Sequence, residues 1–131
     1  MKKLLLIFTL LFSTLMFSTP SYAEWTKVGA NVSGDTFYVD FERIRKNDGY
    51  VYWWDLTDYL KPNSVGYLSG KIYKEGDCKV FRYNHLSYSH HKGPMGGGTG
   101  DVDVPVEKDK GWKYPPPNSA SELMLQRVCS Q

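Results

Sequence analysis

Hydrophobic and polar positions change their spacing twice along this chain. From Leu4 to Phe12 apolar residues run almost unbroken, interrupted only by Thr9. Past Trp25 the pattern becomes the two-residue alternation of strands, and near the C-terminus it widens to the spacing of a helix. Trp25 to Val28, closed by Gly29, predicts a first strand. Thr36 to Phe41 predicts a second, with Phe37, Val39 and Phe41 on one face and Tyr38 and Asp40 on the other. Asn31 to Asp35 forms the turn between them, and Glu42 to Lys46 reads as one helical turn before Asn47-Asp48-Gly49.

The strongest strand signal is Tyr50 to Leu60. Tyr50, Tyr52, Trp54, Leu56 and Leu60 share one face, interrupted by Asp58, while Val51, Trp53, Asp55, Thr57 and Tyr59 share a more polar one. Such a pattern predicts an antiparallel sheet whose first face is covered and whose second is wetter. Tyr67 to Lys74 and Lys79 to Ser87 predict two further strands, joined by the turn Glu75-Gly76-Asp77. His90 to Gly100 carries five glycines and a proline and reads as a mobile loop, with a sixth strand over Asp101 to Glu107. Pro115-Pro116-Pro117 ends regular pairing. Ser119 and Glu122 then form a capping-box pattern, and Leu125, Val128 and Cys129 fall on one helical stripe. A helix this short is not stable alone in water, so it must dock. The expected fold is α+β: about six antiparallel strands with a C-terminal helix on one face.

The apolar run near the N-terminus is an address. Lys2 and Lys3 precede it, and Ser21-Tyr22-Ala23 supplies small residues at a cleavage site. The run is too short to cross a hydrocarbon layer of about 30 Å, and no second one follows, which predicts no stable membrane anchor. Residues 1–23 are expected to be a cleaved secretory signal and residues 24–131 a single exported domain, periplasmic or secreted, with exposure at the cell surface an open alternative. Removing the signal also removes two of the 16 basic residues against 14 acidic ones, so the mature domain is neutral. A neutral domain lacks the basic face that nucleic-acid binding needs.

Cys78 and Cys129 both fall in the mature part. In an exported chain an even count reads as one disulfide, the alternatives being two free thiols or a metal pair. The two are 51 positions apart, a closure for which chain entropy gives about 4 kcal/mol. No CxxC spacing supports a redox role.

Candidate chemistry is sparse. His85, His90 and His91 lie close in sequence, but His90 and His91 on one strand point to opposite sides, against joint metal ligation. The glycine run from Gly93 to Gly100 leads into Asp101-Val102-Asp103, not into the Lys and Ser or Thr of a phosphate-binding loop. No GxSxG elbow occurs, and Asp55 and Asp58 face opposite sides of their strand. No enzyme activity and no cofactor are therefore expected. Ten tyrosines, four tryptophans and six phenylalanines instead supply the residue types that favour strands and anchor protein contacts. Ser69, Tyr73, His90, His91 and Met95 are the expected contact positions for a protein partner. An exposed sheet edge would also allow a homodimer.

Two resemblances bear on function. Ser69-Gly70-Lys71-Ile72-Tyr73 is similar to the SGxxY stretch of periplasmic inhibitors of C-type lysozyme. That implies an alternative role as inhibitor of a hydrolase such as lysozyme. The wider pattern resembles the bacterial surface-adhesin protein E-like family. It is carried by Trp25, Val28 and Gly29, by Tyr38-Val39-Asp40 with Ile44, and by Val51 to Tyr59. Asp77-Cys78, Trp112, Pro117-Asn118-Ser119 and Leu123 to Cys129 complete it. The resemblance implies a six-stranded antiparallel sheet and a C-terminal helix tethered through Cys78 and Cys129. It also implies an adhesin-like module that engages host-matrix proteins such as vitronectin, laminin and plasminogen. Glu24 stands where the family's lipid-anchored member has its cysteine.

Overall fold

The computed structural model describes residues 24–131; the secretory signal expected over residues 1–23 lies outside the described residues. Seven strands form one antiparallel sheet: β1 (Thr26–Ala30), β2 (Thr36–Val39), β3 (Arg45–Asn47), β4 (Tyr50–Asp58), β5 (Ser69–Asp77), β6 (Arg82–His91) and β7 (Gly100–Asp103). Their order is β1-β2-β4-β5-β6-β7, with β3 also pairing β4. One helix, α1 (Ala120–Cys129), closes the chain. The strands expected from alternation are all present. The turn expected over Glu42 to Lys46 is instead a 3-10 turn at Phe41–Arg43 followed by the three-residue strand β3.

The covered face of the sheet is the reverse of the one expected. Val51, Trp53 and Asp55 of β4 are buried, whereas Tyr50, Tyr52 and Trp54 are half-exposed. Val39, Val51, Trp53 and Tyr83 of the sheet pack with Met124, Leu125 and Val128 of α1. Asp55 misled the reading because a lone carboxylate signals a wet face. Here Lys74 of the neighbouring β5 reaches it at 2.8 Å and Trp53 Nε1 donates to it at 3.2 Å, so the charge is paired inside the core. Gly76 of β5 makes room for this packing. A Cβ there would lie 2.9 Å from both Leu125 Cδ1 and Trp53 Cζ3.

The helix begins as its sequence dictates, with one change of partner. Ser119 Oγ accepts from the Glu122 N–H at 3.1 Å, but the Glu122 carboxylate accepts from the Asn118 N–H rather than that of Ser119. At the other end Cys129 is bonded to Cys78, with a Cα–Cα distance of 5.7 Å. Cys78 lies in the β5–β6 turn, directly after β5, and not at the start of β6. Asp77 organises that turn by accepting from the N–H groups of Lys79 and Val80 and pairing with Arg82. Burial pushes the Asp77 carboxyl up, but the hydrogen bonds from Val80, Arg82 and Lys79 outweigh it and hold the group below its usual value.

The glycine-rich segment is pinned to the sheet rather than loose. β6 runs on through His91, and Pro94–Gly96 forms a 3-10 turn that folds back over the open face. Ser69 Oγ donates to the Gly93 carbonyl at 2.7 Å and accepts from the Gly96 N–H at 2.8 Å, while Asp58 accepts from the Met95 N–H. The fold-back closes over Leu56, which is fully buried although it lies on the open face. The sixth expected strand is shorter than read, ending at Asp103, and Val102, Val104 and Val106 beyond and within it are exposed.

Candidate binding face

Strand period fixes what the open face displays. Side chains two apart on β4 and their register partners on β5 emerge together, so Tyr50, Tyr52 and Trp54 stand beside Asp77, Glu75 and Tyr73. Trp54 and Tyr73 rings lie 5.0 Å apart between centroids, and Tyr52 and Tyr73 6.3 Å apart. The Tyr52 hydroxyl donates to Glu75, which raises its pKa. At the far end the chain returns beside β6 through a bridge between Tyr83 and Lys113, carrying Trp112 over the face. Trp112 meets Tyr50 at 5.5 Å, and the Arg82 guanidinium lies 4.4 Å from the Trp112 ring centre. Five rings thus form a row that no helix among the described residues covers.

A hollow opens beside this row. β2 pairs with one end of β4 and β3 with the other, and between them the Asp40 N–H donates to the Trp54 carbonyl at 3.2 Å before the chain enters the 3-10 turn. The resulting cavity of about 690 Å³ is lined by Glu42, Arg43, Ile44, Arg45, Trp54 and Tyr73. Asp40, buried beneath, pairs with Arg43 Nε at 3.4 Å, while half of the Arg43 side chain (51%) remains exposed. Glu42 has its carboxyl pKa raised, chiefly by the neighbouring Glu24 charge and by a hydrogen bond with it.

The five contact positions expected from the sequence do not converge. Tyr73 lies on the open aromatic face and lines the hollow. Ser69 is fully buried as the peg of the glycine loop, so it cannot touch a partner, and its strand β5 is paired on both sides. His91 is buried too, bonded to Ser89 Oγ at 2.5 Å, with its pKa lowered by burial. His90 projects from the opposite side of β6, between the rings of Tyr67 at 5.3 Å and Tyr88 at 6.2 Å. Met95 sits on the loop at φ 55°, part-exposed. Sequence reasoning missed Trp54, Tyr52, Tyr50, Arg43 and Arg45 as a site. The period-two set Tyr50, Tyr52 and Trp54 was visible, but alternation alone does not say which set is covered.

Among the described residues no group of three or more His, Cys, Asp or Glu side chains could hold a metal ion. Nor is any described helix long and apolar enough to cross a membrane.

Comparison with known proteins gives the fold a context. No curated protein sequence matches the chain. The crystal form II structure of Haemophilus influenzae protein E matches with a TM-score of 0.61 at 17% identity, covering 86% of this chain and 91% of that one. Protein E from non-typeable Haemophilus influenzae matches with a TM-score of 0.56 at 17% identity, over 86% of this chain and 79% of that one. At such identity these likenesses speak for the fold. The model of the family described as surface-adhesin protein E matches residues 25–130. That span takes in every strand and the stapled helix, and the chain belongs to the surface-adhesin protein E family.

Proposed function

We propose that the chain is an exported, non-catalytic binding module, a single domain over residues 24–131, that contacts another protein through its open aromatic face at the cell surface. The observation that carries this reading is the uncovered row of Tyr50, Tyr52, Trp54, Tyr73 and Trp112. Aromatic side chains on a rigid strand lose little freedom on binding and are enriched where contacts carry most energy. Membership in a surface-adhesin family supports the same reading.

The test is solid-phase binding of the oxidised chain to immobilised vitronectin, laminin and plasminogen, paired with fractionation of producing cells. Trp54→Ala and Tyr73→Ala should each weaken binding by about tenfold or more, and the protein should be found at the surface with residues 1–23 removed. Binding unchanged in both variants, or retention wholly in the periplasm, would overturn the proposal. A hydrolase-inhibitor role through Ser69 to Tyr73 is not favoured, because Ser69 is buried beneath its loop.

A further inference from the structure

The sheet has an open edge where the glycine loop returns. β7 ends the strand order, so it is paired on its β6 side alone. The Lys92 N–H donates to the Thr99 carbonyl at 3.1 Å, and hydrogen-bonded pairs alternate along an antiparallel ladder. His90–Asp101 and Tyr88–Asp103 are therefore the bonded pairs, and the N–H and C=O groups of Gly100 and Val102 point outward. Among the described residues no other backbone group meets them.

The side chains of this edge divide by face. Asp101 and Asp103 stand with their register partners His90 and Tyr88, and Asp101 accepts from the Tyr67 hydroxyl. Both carboxylates are exposed, and among the described residues neither is ion-paired. Lys92 lies 5.4 Å from the Tyr67 ring centre without pairing either, and Lys110 is taken by Glu107 at 2.8 Å. The Tyr88 hydroxyl has its pKa raised, by burial first and then by the Asp109 and Asp103 charges. On the opposite face Val102 is 77% exposed, and Val104 and Val106 continue the exposed valines beyond the strand. Two copies of this edge would not pair about Val102, since Asp101 of one would stand opposite Asp103 of the other.

We infer that the outer edge of β7 receives an extended segment of a protein partner as an added strand, one in which lysine or arginine alternates with aliphatic side chains. Its backbone meets Gly100 and Val102, its cations meet Asp101 and Asp103, and its aliphatic side chains lie against Val102. This edge is two strands away from the Tyr50–Tyr52–Trp54 row of β4 and is a second contact surface beside it.

The probe is a fluorescein-labelled synthetic peptide alternating lysine and valine, compared by anisotropy with the same peptide carrying glutamine for lysine. The oxidised chain should bind the lysine peptide at least about fivefold more tightly, with a preference that fades as salt rises. Asp101→Asn combined with Asp103→Asn should abolish that preference. Glu24→Gln combined with Asp48→Asn, the same charge change at exposed positions outside β7, should leave it intact. Val102→Pro removes an outward N–H and no ladder bond, and should weaken both peptides about fivefold. The lysine peptide N-methylated at every residue keeps its charges, loses its strand donors and should not bind, a reading that needs no variant to fold. Four outcomes overturn the inference: no lysine preference, equal loss in the Glu24 and Asp48 pair, undiminished binding of the methylated peptide, or self-association of the parent that Val102→Pro abolishes. Loss of the preference in Trp54→Ala would move the peptide to the aromatic row and overturn it too. If the preference is absent while Trp54→Ala still weakens matrix binding, this inference fails alone and the aromatic-face reading stands.

Discussion

The two faces of the sheet carry similar residues and use them in opposite ways. Trp53 and Trp54 are neighbours on β4, one almost wholly buried under α1 and the other half-exposed beside Tyr73. On the helix side, rings and a Lys74–Asp55 pair are enclosed with Val39, Leu125 and Val128. On the other side, rings meet one another and the solvent. Aromatic content therefore marks neither core nor binding face; what differs is whether another element lies on top. The helix supplies the cover, and the disulfide holds the helix.

Substituting the two tryptophans should separate the faces most sharply. Trp53→Ala should cost about 3–5 kcal/mol, since a large cavity opens beneath Leu125 and the Asp55 carboxylate loses a donor. Trp54→Ala, which gives up half-exposed area and one ring pair, should cost roughly 1 kcal/mol. Urea unfolding of the oxidised proteins measures both. Equal losses would mean that the faces are equally structural and that the open row is merely a second core. Removing the staple with Cys78→Ala and Cys129→Ala comes next, at about 4 kcal/mol for a separation of 51 residues. That loss should fall on the helix-covered face, seen as earlier exchange of the Leu125 and Val128 amides, and leave the tilted contact of Trp54 with Tyr73 in whatever remains folded.

The glycine loop is where the open face borrows the logic of the covered one. Ser69→Ala should cost about 1–3 kcal/mol, because the part-buried Gly93 carbonyl and Gly96 N–H lose their shared partner. Proteolysis within Gly93 to Gly98 should accelerate while the Tyr50 to Tyr73 row stays in place. An unchanged cleavage rate would show that Asp58 and local backbone bonds suffice to hold the loop.

How much of this was legible follows from the range of each interaction. The helix was legible because Ser119, Glu122, Leu125 and Val128 signal it within one short stretch. The staple was legible from two cysteines in an exported chain, and the strands from period-two alternation. The covered side was not, because Asp55 reads as solvent-facing until Lys74 from the next strand is laid beside it. The loop was misread for the same reason: its composition says mobile, yet its pegs, Ser69 and Asp58, lie 24 to 37 residues upstream. The hollow joins Arg43 and Arg45 to Trp54 and Tyr73 across three strands. No local pattern encodes such a meeting.

The finest distinction between the faces is electrostatic. On the helix side, His85 packs between Tyr83 and Tyr88, and its Nδ1 lies 2.9 Å from the Tyr88 hydroxyl. Burial, then the nearby Lys74 and Lys113 charges, lowers its pKa from 6.5 to about 4, with Asp109 opposing. Between these values the unfolded chain takes up a proton that the folded chain refuses. Stability from this group is therefore complete above pH 6.5 and is lost as pH falls towards 4. His91, under the glycine loop on the other face, is lowered in the same direction by burial. Asp77 acts separately, in the more acidic range below its ordinary value of 3.8. His85→Gln should flatten the fall in urea midpoint between pH 6.5 and 4 relative to the parent, with His91 accounting for the slope that remains. If the slope is untouched by His85→Gln and vanishes in His91→Gln, the acid sensitivity belongs to the loop on the open face. The cluster of His85 with Tyr83 and Tyr88 would then be proton-silent across that range.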